Sequence, residues 1–112
     1  MKNMRRIFLI LTLLLPVTVL VSSASAETKI EATIFSYDGK DFVRTTTTLS
    51  TEGQAATGTK LDRDSSAYKA LVEKRSYTGP ATILGGDYQA NYAPLTGEDG
   101  QLTGALFVGV PK

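Results

Sequence analysis

The amino-acid sequence predicts a small α+β domain built mainly from antiparallel strands, with one short helix. Three observations lead there. Strand-length runs, alternating or continuously apolar, fill most of the stretch from Thr28 to Val110 and are separated by turn signals such as Asp38-Gly39 and TGEDG at 96–100. Helical i, i+3, i+4 spacing belongs to Tyr68, Leu71 and Val72. The chain has no Cys, so stability has to come from a packed core or from association.

The first 26 residues stand apart. Lys2, Arg5 and Arg6 precede an apolar run from Ile7 to Val21, and Ala24-Ser25-Ala26 closes it. A basic start, a short apolar stretch and a small-residue end make a secretory signal, cleaved after Ala26. The run is shorter than the ~20 apolar residues a membrane-crossing helix needs, and Pro16 interrupts it. An uncleaved anchor is the alternative. A lipoprotein is excluded because no Cys follows. Residues 27–112 then form a single domain, exported to the periplasm or the medium.

Within that domain, Thr28–Tyr37 alternates and reads as a strand, with Ile30, Ala32 and Ile34 on one side. Asp38-Gly39 predicts a two-residue hairpin, and Asp41–Leu49 forms the return strand. That register sets Phe35 opposite Phe42 and Thr33 opposite Arg44. One hairpin face would carry Ile30, Ala32, Ile34, Val43 and Leu49, the expected core. The other would carry Glu31, Thr33, Phe35, Phe42, Arg44 and Thr46, a mixed face suited to a pocket wall. Residues 50–60 are a polar loop. Asp64-Ser65-Ser66 is a helix N-cap signal, and the helix runs to about Lys74. Thr78–Leu84 is an edge segment because Pro80 cannot donate to a ladder. Gly85-Gly86-Asp87 is a turn, and Tyr88–Leu95 alternates. Leu102–Val110 is apolar on both faces, as a central strand covered on both sides would be. The order is strand, strand, helix, three strands.

Composition removes several function classes. Three of the twelve basic residues and none of the eleven acidic ones lie in the first 26, leaving nine against eleven, a net charge of −2. No basic stripe invites nucleic acid. The absence of His removes the commonest general base and metal ligand, and no nucleophile–base set is visible, so neither enzyme activity nor a cofactor is expected.

Three stretches together resemble a known family: DGKDFVRTTTTL at 38–49, GTKLDRDSSAYKALVEKRSYTGPATILGGDYQANYAPL at 58–95, and GQLTGALFVGV at 100–110. The elements DFVR, GTxLD, YxGxAxxxGxxY and GxLFVGV are similar to those of the single Cache domains of bacterial chemoreceptors and sensor kinases. The likeness is to the membrane-proximal PAS-like unit of the Cache 3/Cache 2 type, over roughly residues 30–110. The resemblance implies a PAS-like five-stranded antiparallel sheet with helices and loops over one face. It also implies a small ligand, a carboxylate or amino acid, held outside the membrane between sheet and loops. Two departures from the receptor plan, the missing long N-terminal helix and the end at Lys112, lead us to expect a module without its own output unit. The partner would be a second copy or a separate membrane receptor. The alternative is a secreted interaction domain with no ligand.

Arg44, in the FVR motif, is the first candidate ligand residue. A guanidinium can hold a carboxylate bidentately; the competing reading pairs it internally with Glu31. The tyrosines form the second group, each offering an apolar body and one hydroxyl. Tyr68, Tyr88 and Tyr92 are taken as site residues and Tyr77 is weighed with them; core packing is their alternative role. Arg63 and Lys60 flank Leu61-Asp62, and either can close a lid over an anion or remain a solvated loop charge. Asp62 is expected to cap local backbone. Gly85-Gly86 lacks the Gly-Lys-Ser/Thr of a phosphate loop, and Thr45–Thr48 reads as strand propensity.

Overall fold

The computed structural model describes residues 29–112; the predicted signal and its cleavage point lie outside the described residues. Strand β1 is Glu31–Tyr37 and β2 is Phe42–Thr47. Two-residue strands β3 (Ser50–Thr51) and β4 (Gln54–Ala55) form a small hairpin. Helix α1 (Ser66–Val72) follows, then β5 (Tyr77–Ile83), β6 (Gly86–Thr96) and β7 (Leu102–Pro111). The five long strands form one sheet in the order β2-β1-β7-β6-β5, every pair antiparallel. The α+β, PAS-like plan with one short helix is the plan the sequence predicts. The apolar β7 lies at the centre and the Pro80 strand at an edge.

The first hairpin differs from expectation. The Asp38 carboxylate accepts the amides of Lys40 and Asp41 at 2.9 and 2.7 Å, which pulls both residues out of the ladder. The connection becomes four residues, and the first pair is Tyr37 with Phe42. Arg44 therefore faces Phe35 rather than Thr33. A slip of two preserves each residue's face. Thr45 then bulges, its hydroxyl donating to the Ile34 carbonyl at 2.9 Å, so Thr46 pairs with Ile34 and changes side.

The assignment of faces also reverses. Phe35, Phe42, Thr33 and Arg44 are buried, whereas Ile30 and Ile34 are exposed. Of the expected core set only Leu49 is buried, because the bulge turns it inward. The reason is tertiary. The chain after β2 crosses the aromatic side, and Ala56, Leu61, Ala67 and Leu71 bury themselves against it. Phe35, Phe42, Tyr92 and Phe107 form its centre; Tyr92 and Phe107 have ring centroids 5.0 Å apart, and Phe35 meets Phe42 edge-on at 6.3 Å. Burying one such ring stabilises by about 1.5–3 kcal/mol. Period-two alternation shows that two faces exist; it does not show which one is covered.

The return path runs along the free edge of β2. Arg44 exchanges backbone hydrogen bonds with the 58–59 segment: its amide donates to the Thr59 carbonyl and its carbonyl accepts the Gly58 amide. Leu61 donates to the Phe42 carbonyl. Helix α1 starts where Ser65 accepts the Tyr68 amide at 3.1 Å and ends before Lys74, whose φ of 63° leaves the helical region. The opposite sheet face has no cover among the described residues. Leu106 and Val108, expected inside a doubly covered strand, are 41% and 49% exposed. No helix among the described residues is long and apolar enough to cross a membrane.

Candidate functional site

A cleft of about 540 Å³ lies between the covered sheet face and the segment from Lys60 to Ala67. Its sheet wall is built by Arg44 of β2, Tyr92 of β6, and Tyr77, Ala81 and Ile83 of β5. Its other wall is Leu61, Asp62, and Asp64 to Ala67 at the start of α1. Gly79 shapes the β5 wall. Its φ is 154°, and a Cβ there would lie 2.9 Å from the Tyr77 hydroxyl, so only glycine lets that ring fold back across the strand. The Tyr77 hydroxyl then donates to the Pro80 carbonyl at 2.6 Å.

Arg44 is the unusual group. It is 3% exposed, yet among the described residues it forms no ion pair. Its Nη1 donates to Thr59 Oγ1 at 3.0 Å and to the Lys60 carbonyl at 3.2 Å, both neutral acceptors. Its Nε is buried without a partner, alone in this respect among the described side chains. The guanidinium carbon lies 5.2 Å from the centre of the Phe35 ring, which offers a weak cation–π contact. Burial pulls the Arg44 pKa down and the neighbouring Tyr92 opposes it; a guanidinium stays charged regardless. The internal pair with Glu31 does not form. Glu31 instead accepts the Thr48 hydroxyl at 2.6 Å. Isolated buried charge is expensive by several kcal/mol, and here no carboxylate among the described residues offsets it.

Tyr92 is 1% exposed and lines the same cleft, with burial pushing its phenol up to about 12 against the opposing pull of Arg44. The remaining candidates lie elsewhere. Tyr68 packs edge-on to Phe42 at 5.8 Å and donates to the Lys40 carbonyl at 2.6 Å. Tyr88 packs edge-on to Phe107 at 6.3 Å and borders a smaller hollow beside Asp87 and Lys112. Arg63 grips Asp41 with Nε and Nη2, each at 2.8 Å, rather than reaching the cleft. Asp41 is 4% exposed, and the Arg63 fork holds its carboxyl down to about 2 despite burial. Lys60 adds a contact to it at 3.5 Å. This clamp ties the β1–β2 turn to the cleft wall. Asp62 accepts the Asp64 amide at 2.9 Å, the capping role expected of it. The sequence leaves Tyr77 weighed but not selected, and marks Asp64 and Ser66 only as part of a helix N-cap. Tyr77-Thr78-Gly79 carried the one usable signal, a glycine two residues from an aromatic on the same strand face.

Residues 17–112 match the model of the Cache 3/Cache 2 fusion domain. The chain belongs to that family. Cache domains are extracytoplasmic sensor modules that typically bind small molecules. Among curated proteins and solved structures, none gives a significant match.

Proposed function

We propose that this Cache domain is an exported binding module whose cleft takes a small carboxylate or amino acid, with the ligand's carboxylate at Arg44. The observation that carries this reading is the buried guanidinium that no carboxylate among the described residues neutralises. A ligand carboxylate supplies the missing charge in a site already shielded from water, where a charge-assisted hydrogen bond is strong. Tyr92 contributes a phenol that donates throughout the neutral pH range. Asp62 and Asp64 on the opposite wall favour an ammonium at the ligand's far end, while Lys60 on the same segment is turned to Asp41. Ala81 and Ile83 offer room for a short apolar body.

Export rests on the signal pattern and cleavage after Ala26. Intact-mass measurement of exported material checks it, with a chain starting at Glu27 as the expected result and retention of Met1 as the overturning one.

The ligand reading is tested by thermal shift against monocarboxylates, dicarboxylates, amino acids and purines. A true ligand at a hundred times its dissociation constant adds about 2.7 kcal/mol of stability. Amino acids and monocarboxylates should act, and Arg44→Met should abolish the response. No shift from any carboxylate or amino acid, or an equal shift in Arg44→Met, would sink the proposal.

A further inference from the structure

The uncovered sheet face has a composition that the cleft does not explain. Ile30, Ile34, Leu106 and Val108 are 63%, 47%, 41% and 49% exposed. Ile34 and Leu106 are paired neighbours, as are Ala32 and Val108, so the apolar residues are contiguous across β1 and β7. A shallow groove of about 260 Å³ runs between them and the threonines of β2. Thr46 and Thr48 border the patch on one side and Asn91, paired with Val108, on the other. A contiguous exposed apolar patch rimmed by polar residues marks an interaction surface.

The distribution of charge identifies the occupant. The centre of this side carries Ser, Thr, Ile, Val, Leu, Ala, Asn, Gln and Pro, and charges lie only on its rim among the described residues: Glu31 bonded to Thr48, Lys60 bridged to Val43 at the β2 edge, and Asp87 and Lys112 at the opposite corner. In a two-fold contact, residues near the axis meet their own copies, so any charge there would face a like charge. A centre without charge is what self-pairing requires. The geometry agrees. Five strands about 4.8 Å apart and seven residues about 3.3 Å apart make a footprint of roughly 24 by 23 Å. That is near the lower end of specific interfaces, about 600 Å² per partner.

From this we infer that the bare face pairs with the same face of a second copy of this chain, giving two twisted sheets packed about 10 Å apart with both ligand clefts pointing outward. The inference does not depend on what the clefts hold.

Analytical ultracentrifugation of the exported protein from about 1 to 500 μM tests it. Twice the chain mass at the upper end, falling to the monomer at the lower, is the expected result. Ile34→Lys and Ile34→Glu should each be monomeric across the range, because two like charges would be buried together. Mixing the two variants should restore the dimer, an outcome that only a face meeting itself produces. Thr46→Lys and Thr46→Glu, at an already exposed position, repeat the test if the Ile34 variants fold poorly by circular dichroism. A wild-type monomer at every concentration overturns the inference, including one in which the chain's own N-terminal residues cover the patch. So do Lys and Glu variants that dimerise unmixed, or folded ones that stay monomeric when combined.

Discussion

The two faces of the sheet are made by the same strands, residue by residue, yet they carry opposite chemistry. On the covered face, Phe107 is 1% exposed and Arg44 3%; one residue along β7, Val108 is 49% exposed. The covered face holds the large aromatics and, against simple hydropathy, the one buried cation among the described residues. The uncovered face holds the smaller β-branched and aliphatic residues. What separates them is the path of residues 49–72, which brings Leu49, Leu61 and Leu71 over one side only. Burial here follows where the chain travels after the first hairpin, and ring size outweighs the presence of a charge.

The strongest way to break this comparison is to truncate neighbouring residues of β7. Phe107→Ala should lower stability by about 3–5 kcal/mol, because its ring packs against Tyr92 and Tyr88 and leaves a cavity. Val108→Ala should cost less than about 1 kcal/mol when measured as a monomer, since little burial is lost. Urea midpoints at low protein concentration compare the two. Equal costs would mean that both faces are covered in solution.

Arg44→Met sharpens the contrast from the functional side. It should weaken ligand binding by roughly a hundredfold or more while leaving the ligand-free protein within about 1 kcal/mol of wild type, because removing an unneutralised buried charge offsets the two lost hydrogen bonds. Calorimetric titration and urea unfolding together decide it. A large loss of ligand-free stability would make Arg44 a structural residue.

The tyrosines divide the same way, with smaller effects. Tyr92→Phe should reduce affinity by about tenfold with little change in stability, as expected for one hydrogen bond to a charged group. Tyr68→Phe should lose about 0.5–1.5 kcal/mol, through its bond to the Lys40 carbonyl, with affinity unchanged. The reverse pattern would move the site towards the helix.

The mildest effect is on pH dependence. The Arg63 fork lowers the Asp41 carboxyl from 3.8 to about 2. A depressed carboxyl stabilises the fold fully above its unfolded value and stops doing so as pH falls through its folded one. Stability should therefore decline between about pH 4 and pH 2, and Asp41→Asn should flatten part of that decline. Chemical-denaturation midpoints across this range measure it; an identical slope in the variant would show that other carboxylates govern acid sensitivity.

Much of the fold was legible because its signals are local. Alternation, Pro80, the Ser65 cap and the tight turns each act within a few residues, and they gave the five long strands and the helix in order to within about three residues, whereas the short β3–β4 hairpin lies in a stretch that reads as a polar loop. The central place of β7 followed from its apolar run. The candidate site was legible in part. Arg44 and Tyr92 meet in one cleft although 48 positions of sequence and two intervening strands separate them. Tyr68 and Arg63 were chosen for side-chain chemistry and Tyr88 for sharing a strand face with Tyr92; in the structure Tyr68 meets a backbone carbonyl, Arg63 a buried carboxylate and Tyr88 a phenyl ring.

By itself the sequence determined the five long strands and the helix, their order, the absence of disulfides and the two chemically distinct sides of the first hairpin. Those depend on backbone preference and side-chain period, which are properties of neighbours along the chain. The tertiary structure alone decided which side is the core. It also set the two-residue shift imposed by Asp38, the pairing of Arg63 with Asp41, and the isolation of Arg44 from Glu31. Each of these depends on where distant segments cross the sheet, and a two-residue period is satisfied equally well by covering either face.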